Sequence, residues 1–337
     1  MVVTESTPIS ESPVAVPSWS LAELVTAREL VYAHMDPTPQ LRWPLLGERC
    51  GAEVWVKHEN HTPIGAFKLR GGVVYIDHLR RKQPGVTGVL TATRGNHGQS
   101  VAFAARSAGL TAVIVVPRGN STEKNAAMRA LGAELIEHGR DFQEALEFAA
   151  GEASRRHLHL VPSFHPDLSS GIASYGLELF EAVAEIDTVY VPIGQGSGIC
   201  ALLSARNALG VGTKVVGVVA ENAAAYAQSF AAGEPCSTDS ADTIADGLAC
   251  RVAVPEAVAF INENTERVVT VSEAGIRAAM RHYFTDTHNV AEGAGAAPLA
   301  ALLEERDAMT GKRVALVLSG GNVDRSVFAD VLAEDAG

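Results

Sequence analysis

The chain has 337 residues, is 47% hydrophobic and carries 31 glycines but only 6% aromatic residues. That length admits one large or two modest domains, and so many small residues suit helices lying close on sheets. The net charge of −12 argues against nucleic acid or an anionic membrane as a main partner, and no run of about 20 apolar residues offers a membrane span.

Residues 1–17, rich in Ser, Thr and Pro, read as a loose arm; Glu5 and Glu11 stand where a signal peptide would be basic and apolar. Residues 19–34 place Leu21, Leu24, Val25 and Leu30 at helical spacing, with Ser20 as the N-cap. Asp36-Pro37-Thr38-Pro39 forces an extended turn, and residues 52–57 form a strand. An alternation follows: strands at 86–92, 111–116, 134–137 and 158–162, with helices at 99–107, 122–131 and 141–157. A second alternation places helices at 174–184, 199–209, 223–232, 273–286 and 296–306. Its strands are 188–193, 214–220, 268–271 and 313–318, and residues 234–247 form a looser polar connection. Short apolar strands separated by helices imply parallel sheets covered on both faces. Two runs imply an α/β fold of two doubly wound lobes, with ligands beyond the carboxyl ends of the strands. The cysteines Cys50, Cys200, Cys236 and Cys250 lack CxxC spacing and read as reduced thiols of a cytoplasmic protein.

Lys68 follows Pro63 and Gly65 where a loop becomes a helix. It is either a surface lysine at a helix start or a nucleophile, and burial decides which by making the amine partly neutral. Three strand-to-helix turns bear on the choice. In Thr93-Arg94-Gly95-Asn96-His97-Gly98-Gln99 the glycines admit a ligand to backbone N–H groups that favour a carboxylate or phosphate; a plain tight turn with an Asn cap is the other reading. Gly194-Gln195-Gly196-Ser197-Gly198 reads as a phosphate nest. A dinucleotide fingerprint would need a third glycine where Ile199 stands, although Glu221 supplies the expected acid. Ser319-Gly320-Gly321-Asn322 ends the last strand, either as a turn before a helix cap or with a hydroxyl in reach of a ligand ring. An amine for an imine, a nest for a phosphate, a donor for a phenolic oxygen and a partner for a ring nitrogen together fit pyridoxal 5′-phosphate.

From about Pro37 to Arg325 the sequence resembles the fold type II pyridoxal-phosphate enzymes, in the serine/threonine dehydratase and serine racemase branch. The resemblance rests on GAFKLRGG, TRGNHGQ, GQGSG, TIADGLA at 243–249 and SGGN, in that order and spacing. It implies a large cofactor-binding domain from residues 1–78 and 163–337 and a small substrate-side domain at 79–162, with the cofactor between them. It further implies Lys68 as the Schiff-base lysine, Phe67 beside the ring and Asn96 bonded to the ring's 3′-oxygen. Gly194, Gln195, Gly196, Ser197 and Gly198 would hold the phosphate, Ser319 would face the pyridine nitrogen, and Glu292 would border the ring. Thr93, Arg94, Gly95, Asn96 and His97 would grip the substrate carboxylate.

The chain departs from the family pattern at several places. Ala66 replaces the usual Ser, and Gln195 and Ser197 interrupt the glycines of the phosphate loop. Arg94 stands where racemases carry a serine acid/base; a guanidinium shuttles protons poorly, which disfavours racemisation. Glu221 and the carbonyl of Ala225 match a metal site of some relatives, but Ala227 stands where its Asp is expected, so no metal is expected. The chain ends soon after SGGN, so no C-terminal regulatory domain is expected. The expected activity is α,β-elimination from a β-hydroxy-α-amino acid, giving a 2-oxo acid and ammonia. Threonine and serine are the default substrates, with phenylserine or hydroxyaspartate raised by Arg94. The partners expected are the amino-acid substrate and a second copy in a homodimer. The competing readings are a β-replacement or threonine synthase-like enzyme, an NAD-binding oxidoreductase using the Gly194 cup, and a non-catalytic binding module.

Overall fold

A computed structural model describes residues 15–334. The loose arm expected at 1–17 falls mostly outside them. Ten strands are described: β1 (Gln40–Arg42), β2 (Glu53–His58), β3 (Gly88–Ala92), β4 (Thr111–Val116), β5 (Glu134–Glu137), β6 (His159–Leu160), β7 (Thr188–Pro192), β8 (Lys214–Ala220), β9 (Arg267–Val271) and β10 (Arg313–Leu318). They form a six-stranded sheet in the order β1-β2-β10-β7-β8-β9 and a four-stranded sheet in the order β5-β4-β3-β6. Every pairing is parallel except β1 with β2. The α/β fold of two parallel-sheet lobes expected from the sequence is therefore present, with one antiparallel edge strand that was not expected. Strands β3 and β7 are buried along their whole length, which is why they read as unbroken apolar runs.

Most elements lie within a few residues of their expected places, and β4, β5, β8 and β10 match residue for residue. The first helix is Leu21–Tyr32; Ser20 Oγ accepts from Glu23 N at 3.3 Å while Glu23 Oε2 accepts from Ser20 N at 2.8 Å, a reciprocal cap. The helix expected at 174–184 instead runs Pro166–Ala182. Its first half, with Ser169, Ser170 and Gly171, lacks an apolar stripe because it is buried on every side. A Cβ on Gly171 would lie 2.3 Å from Arg70 O, so only glycine lets the two helices touch. Helices Pro44–Cys50 and Pro255–Asn264 were not anticipated; each opens on a proline, harmless at a first helical position. The helix Arg325–Ala333 was also unanticipated.

The helix Lys68–Lys82 joins the two lobes. It packs on Asn96–Ser107 and on Pro166–Ala182. A Cβ on Gly72 would lie 2.1 Å from Ser100 Oγ, and one on Gly71 would lie 2.6 Å from Leu168 O. The paired glycines after Lys68 are thus contact points between helices. Below them lies a buried ion cluster. Arg70 Nε meets Glu59 Oε2 at 2.7 Å, Arg70 Nη1 meets Glu178 Oε1 at 2.6 Å, and Lys57 Nζ meets Glu178 Oε2 at 2.5 Å. Among the described residues no helix is long and apolar enough to cross a membrane. All four cysteines are unpaired, three of them buried.

Candidate active site

The carboxyl ends of β3, β7 and β10 open on one cleft, the place where ligands bind in parallel α/β sheets. Its walls include Phe67, Lys68, Thr93, Arg94, Gly95, Asn96, His97, Gly194, Gln195, Gly196, Ser197, Gly198, Glu292 and Ser319, so every residue expected to touch cofactor or substrate faces one space. Glu221 and Ala225 do not border it; they lie in and just after the turn Glu221–Ala223 that follows β8.

The end of β10 fixes the loop that carries the lysine. Ala66 bridges to Gly320, and Phe67 N donates to Ser319 O at 3.0 Å. Lys68 Nζ then reaches across the cleft and donates to Ser197 Oγ at 2.8 Å. Burial lowers the lysine pKa to about 8, against a small opposing effect from the Cys250 thiol. Its ammonium lies 5.1 Å from the centre of the Phe67 ring. That ring meets Tyr175 edge-on, and Tyr175 OH donates to Gly198 O at 2.8 Å.

The glycine cup caps the N-terminus of the helix Ser197–Leu209, where backbone N–H groups point outward. Gly196 has φ +93°, and a Cβ there would lie 2.7 Å from Ala257 Cβ. A Cβ at Gly194 would lie 2.2 Å from Gly247 O. The side-chain amide of Gln195, which interrupts the glycines, donates to the Cys250 sulfur on the same cleft wall.

The turn after β3 caps the helix Asn96–Ser107, with Gly95 N donating to Thr93 Oγ1 at 2.9 Å. His97 is buried, and burial together with nearby Lys68 pushes its pKa down to about 3, so the ring is neutral. Its Nε2 has no hydrogen-bond partner within the protein, an unmet demand on the cleft wall. Asn96 Nδ2 donates to Glu292 Oε1 at 2.7 Å, and Asn96 Oδ1 accepts from Asn322 Nδ2 at 2.9 Å.

Two charged residues of the cleft were assigned no role from the sequence. Lys124 Nζ contacts Asp246 Oδ2 at 2.5 Å and Glu292 Oε2 at 3.3 Å. Asp246 lies inside the TIADGLA motif. Lys124 carried one local signal, a cation in the first turn of a helix, where the dipole favours an anion. Burial raises the Glu292 carboxyl to about 7, partly opposed by Lys124 and reinforced by Asp246. Lys124 itself is held above the usual amine range by its two carboxylates, against burial.

These groups fit pyridoxal phosphate: a partly neutral amine, an N–H cradle that tolerates no side chain at Gly194, and a serine hydroxyl on the same wall. The comparisons agree with the geometry. A family model described as "Pyridoxal-phosphate dependent enzyme" matches residues 31–320. The L-threonine ammonia-lyase of Thermotoga maritima is 35% identical over 289 residues, covering 86% of this chain and 72% of the relative. The L-threo-3-hydroxyaspartate ammonia-lyase of Saccharomyces cerevisiae is 30% identical over 312 residues, covering 92% and 95%. The crystal structure of a T.th. threonine deaminase superposes with a TM-score of 0.84 at 32% identity, covering 91% of this chain and 99% of that one. Family match, fold and cleft chemistry coincide: the chain belongs to the pyridoxal-phosphate dependent enzymes.

Proposed function

We propose that this chain is an ammonia-lyase that acts on a β-hydroxy-α-amino acid and yields a 2-oxo acid and ammonia. The observation that carries the reading is Lys68, an amine brought to a pKa of about 8 beside a phosphate cup and in one cleft with Ser319. Relatives named for L-threonine and for L-threo-3-hydroxyaspartate as substrates support the reaction class.

In this reading Lys68 anchors the cofactor and Gly194–Gly198 receive its phosphate. Phe67 would pack beside the ring, Asn96 would donate to the 3′-oxygen, Ser319 would face the ring nitrogen and Glu292 would border the ring. When bound, the cofactor supplies an electron sink for charge that develops at Cα. A serine hydroxyl does not force the ring nitrogen to stay protonated, as a carboxylate would, so Ser319 keeps that sink mild. Thr93, Gly95, Asn96 and His97 present the helix N-terminus and its N–H groups to the substrate carboxylate. Freed by the substrate amine, Lys68 Nζ would serve as the general base for the Cα proton. The β-hydroxyl would leave as water, taking up the one proton removed from Cα, and the released enamine would hydrolyse to the oxo acid and ammonia.

Arg94 is exposed and borders both this cleft and an adjoining hollow lined by Phe142, Leu146 and Val252. That placement supports a substrate with a bulkier or acidic β-substituent, such as phenylserine or hydroxyaspartate, alongside threonine and serine. Incubation with a panel of β-hydroxy amino acids, both α-enantiomers and both β-epimers, tests the function through 2-oxo acid and ammonia release. Equal yields of the two products from at least one member support it; no oxo acid from any of them sinks it.

We read residues 79–162 as the substrate-side domain and residues 1–78 with 163–337 as the cofactor domain, a division supported by the gathering of β3 to β6 in one sheet. The unpaired cysteines support a cytoplasmic setting. Exposed Leu41 and Leu45, at and beside the β1 edge, support a homodimer, which light scattering tests.

A further inference from the structure

Lys124 and Glu292 approach the cleft from different lobes. Lys124 sits in the first turn of the helix Thr122–Ala130, which packs with the four-stranded sheet, and it is 6% exposed. A cation there opposes the helix dipole and loses solvation. Two carboxylates offset those costs, Asp246 Oδ2 at 2.5 Å and Glu292 Oε2 at 3.3 Å. The lysine stem passes over the 93–97 turn, where a Cβ on Gly95 would lie 2.4 Å from Lys124 Cδ. Glycine at 95 therefore leaves the stem its path. The other Glu292 oxygen accepts from Asn96 Nδ2, and Asn96 Oδ1 accepts from Asn322 Nδ2. Both ends of the Asn96 amide are thus fixed, with a single N–H left for the cleft.

We propose that Lys124 is a positioning residue whose charge favours the ionised form of Glu292, and that the ionised carboxylate sets the direction in which Asn96 donates to the cofactor. The proposal rests on the reading of Asn96 and Glu292 as neighbours of the cofactor ring. The charged groups that face Glu292 are Lys124, from the helix Thr122–Ala130, and Asp246, from the turn Asp246–Leu248. Lys124 lowers the Glu292 pKa, whereas burial and Asp246 raise it, with the balance at about 7. A protonated Glu292 becomes a donor at one oxygen and loosens its hold on the Asn96 N–H. Because the lysine and its carboxylates belong to different lobes, the charge on Glu292 depends on the lobes being together.

The test is Lys124→Met in the cofactor-loaded enzyme, followed by the cofactor absorption band and by kcat/KM from pH 5.5 to 9. The acid-side midpoint of both moves upward by about one unit or more, and kcat/KM at pH 7 falls roughly tenfold while its value at pH 9 changes less. Glu292→Gln abolishes that midpoint, and adding Lys124→Met to it shifts nothing further. A folded Lys124→Met protein whose band and rate titrate like the wild type overturns the proposal. If Lys124→Met melts far below the wild type, Asp246→Asn gives the second readout. Loss of that negative neighbour lowers the midpoint, and a midpoint that stays or rises overturns the proposal. A wild-type band with no acid-side midpoint overturns it as well. A wild type that shows no cofactor band at all overturns the reading of the cleft on which it rests.

Discussion

Lys68 shows how placement changes a residue's chemistry. Its amine belongs to an ordinary side chain, and burial between Phe67 and the glycine cup brings its pKa to about 8 from the usual 10.5. The same shift has a stability consequence. Between pH 8 and 10.5 the unfolded chain binds a proton that the folded chain does not, so stability of the cofactor-free protein rises with pH across that window. Below pH 8 the penalty is present in full. Lys68→Met should therefore melt above the wild type at about pH 7 and lose that advantage near about pH 10, as thermal melts of both cofactor-free proteins will show. At Arg94 the expectation concerns specificity. Arg94→Ser should raise the preference for serine over 3-hydroxyaspartate, measured as a ratio of kcat/KM, by roughly tenfold or more, since the cleft loses its exposed cation while the partly buried Lys68 and the buried Lys124 remain. Chiral chromatography should also detect racemised serine with that variant.

Legibility differed among these residues for physical reasons. Lys68, Asn96 and Ser319 lie in glycine-bearing segments at strand or helix ends, where short polar segments are conspicuous. Lys124 has no glycine beside it, and Asp246 precedes Gly247 but, like Lys124, acquires its meaning from a partner in the other lobe.

At the scale of elements, the glycine cup has a backbone shaped for close approach. Gly196 has a positive φ and Ala257 Cβ directly beside it. Gly196→Ala should weaken cofactor binding by roughly tenfold or more, from strain in the left-handed region and displacement of the cup. Equilibrium titration of the cofactor-free protein with pyridoxal phosphate checks this. The strands were legible because burial on both faces leaves short apolar runs between turn residues, as in β4 and β7. The first half of Pro166–Ala182 was not, because a helix touched on all sides carries small and polar residues instead of an apolar stripe. The three-residue β1 is half-exposed and antiparallel, so it has neither the length nor the pattern of its neighbours.

At the scale of the whole molecule, two lobes meet along the helix that begins with Lys68, and the buried cluster of Lys57, Glu59, Arg70 and Glu178 ties that helix to β2 and to Pro166–Ala182. Removing one member leaves an uncompensated buried charge. Arg70→Met should cost about 3–5 kcal/mol of stability, read by urea denaturation, and should weaken cofactor retention because Lys68 lies two residues away on the same helix. Two α/β lobes could be anticipated from the alternation of strands and helices. Their meeting could not, because contacts such as Asn96 with Asn322 join residues 226 apart.

The role proposed for Lys68 is to hold the cofactor through its side-chain amine. It is tested most directly by borohydride reduction of the cofactor-loaded protein, followed by peptide mass analysis. A pyridoxyl adduct on the peptide that contains Lys68, absent from a Lys68→Ala variant treated in the same way, is the result expected. An adduct on another lysine, Lys124 included, or no adduct on a protein that carries the cofactor, would contradict the account.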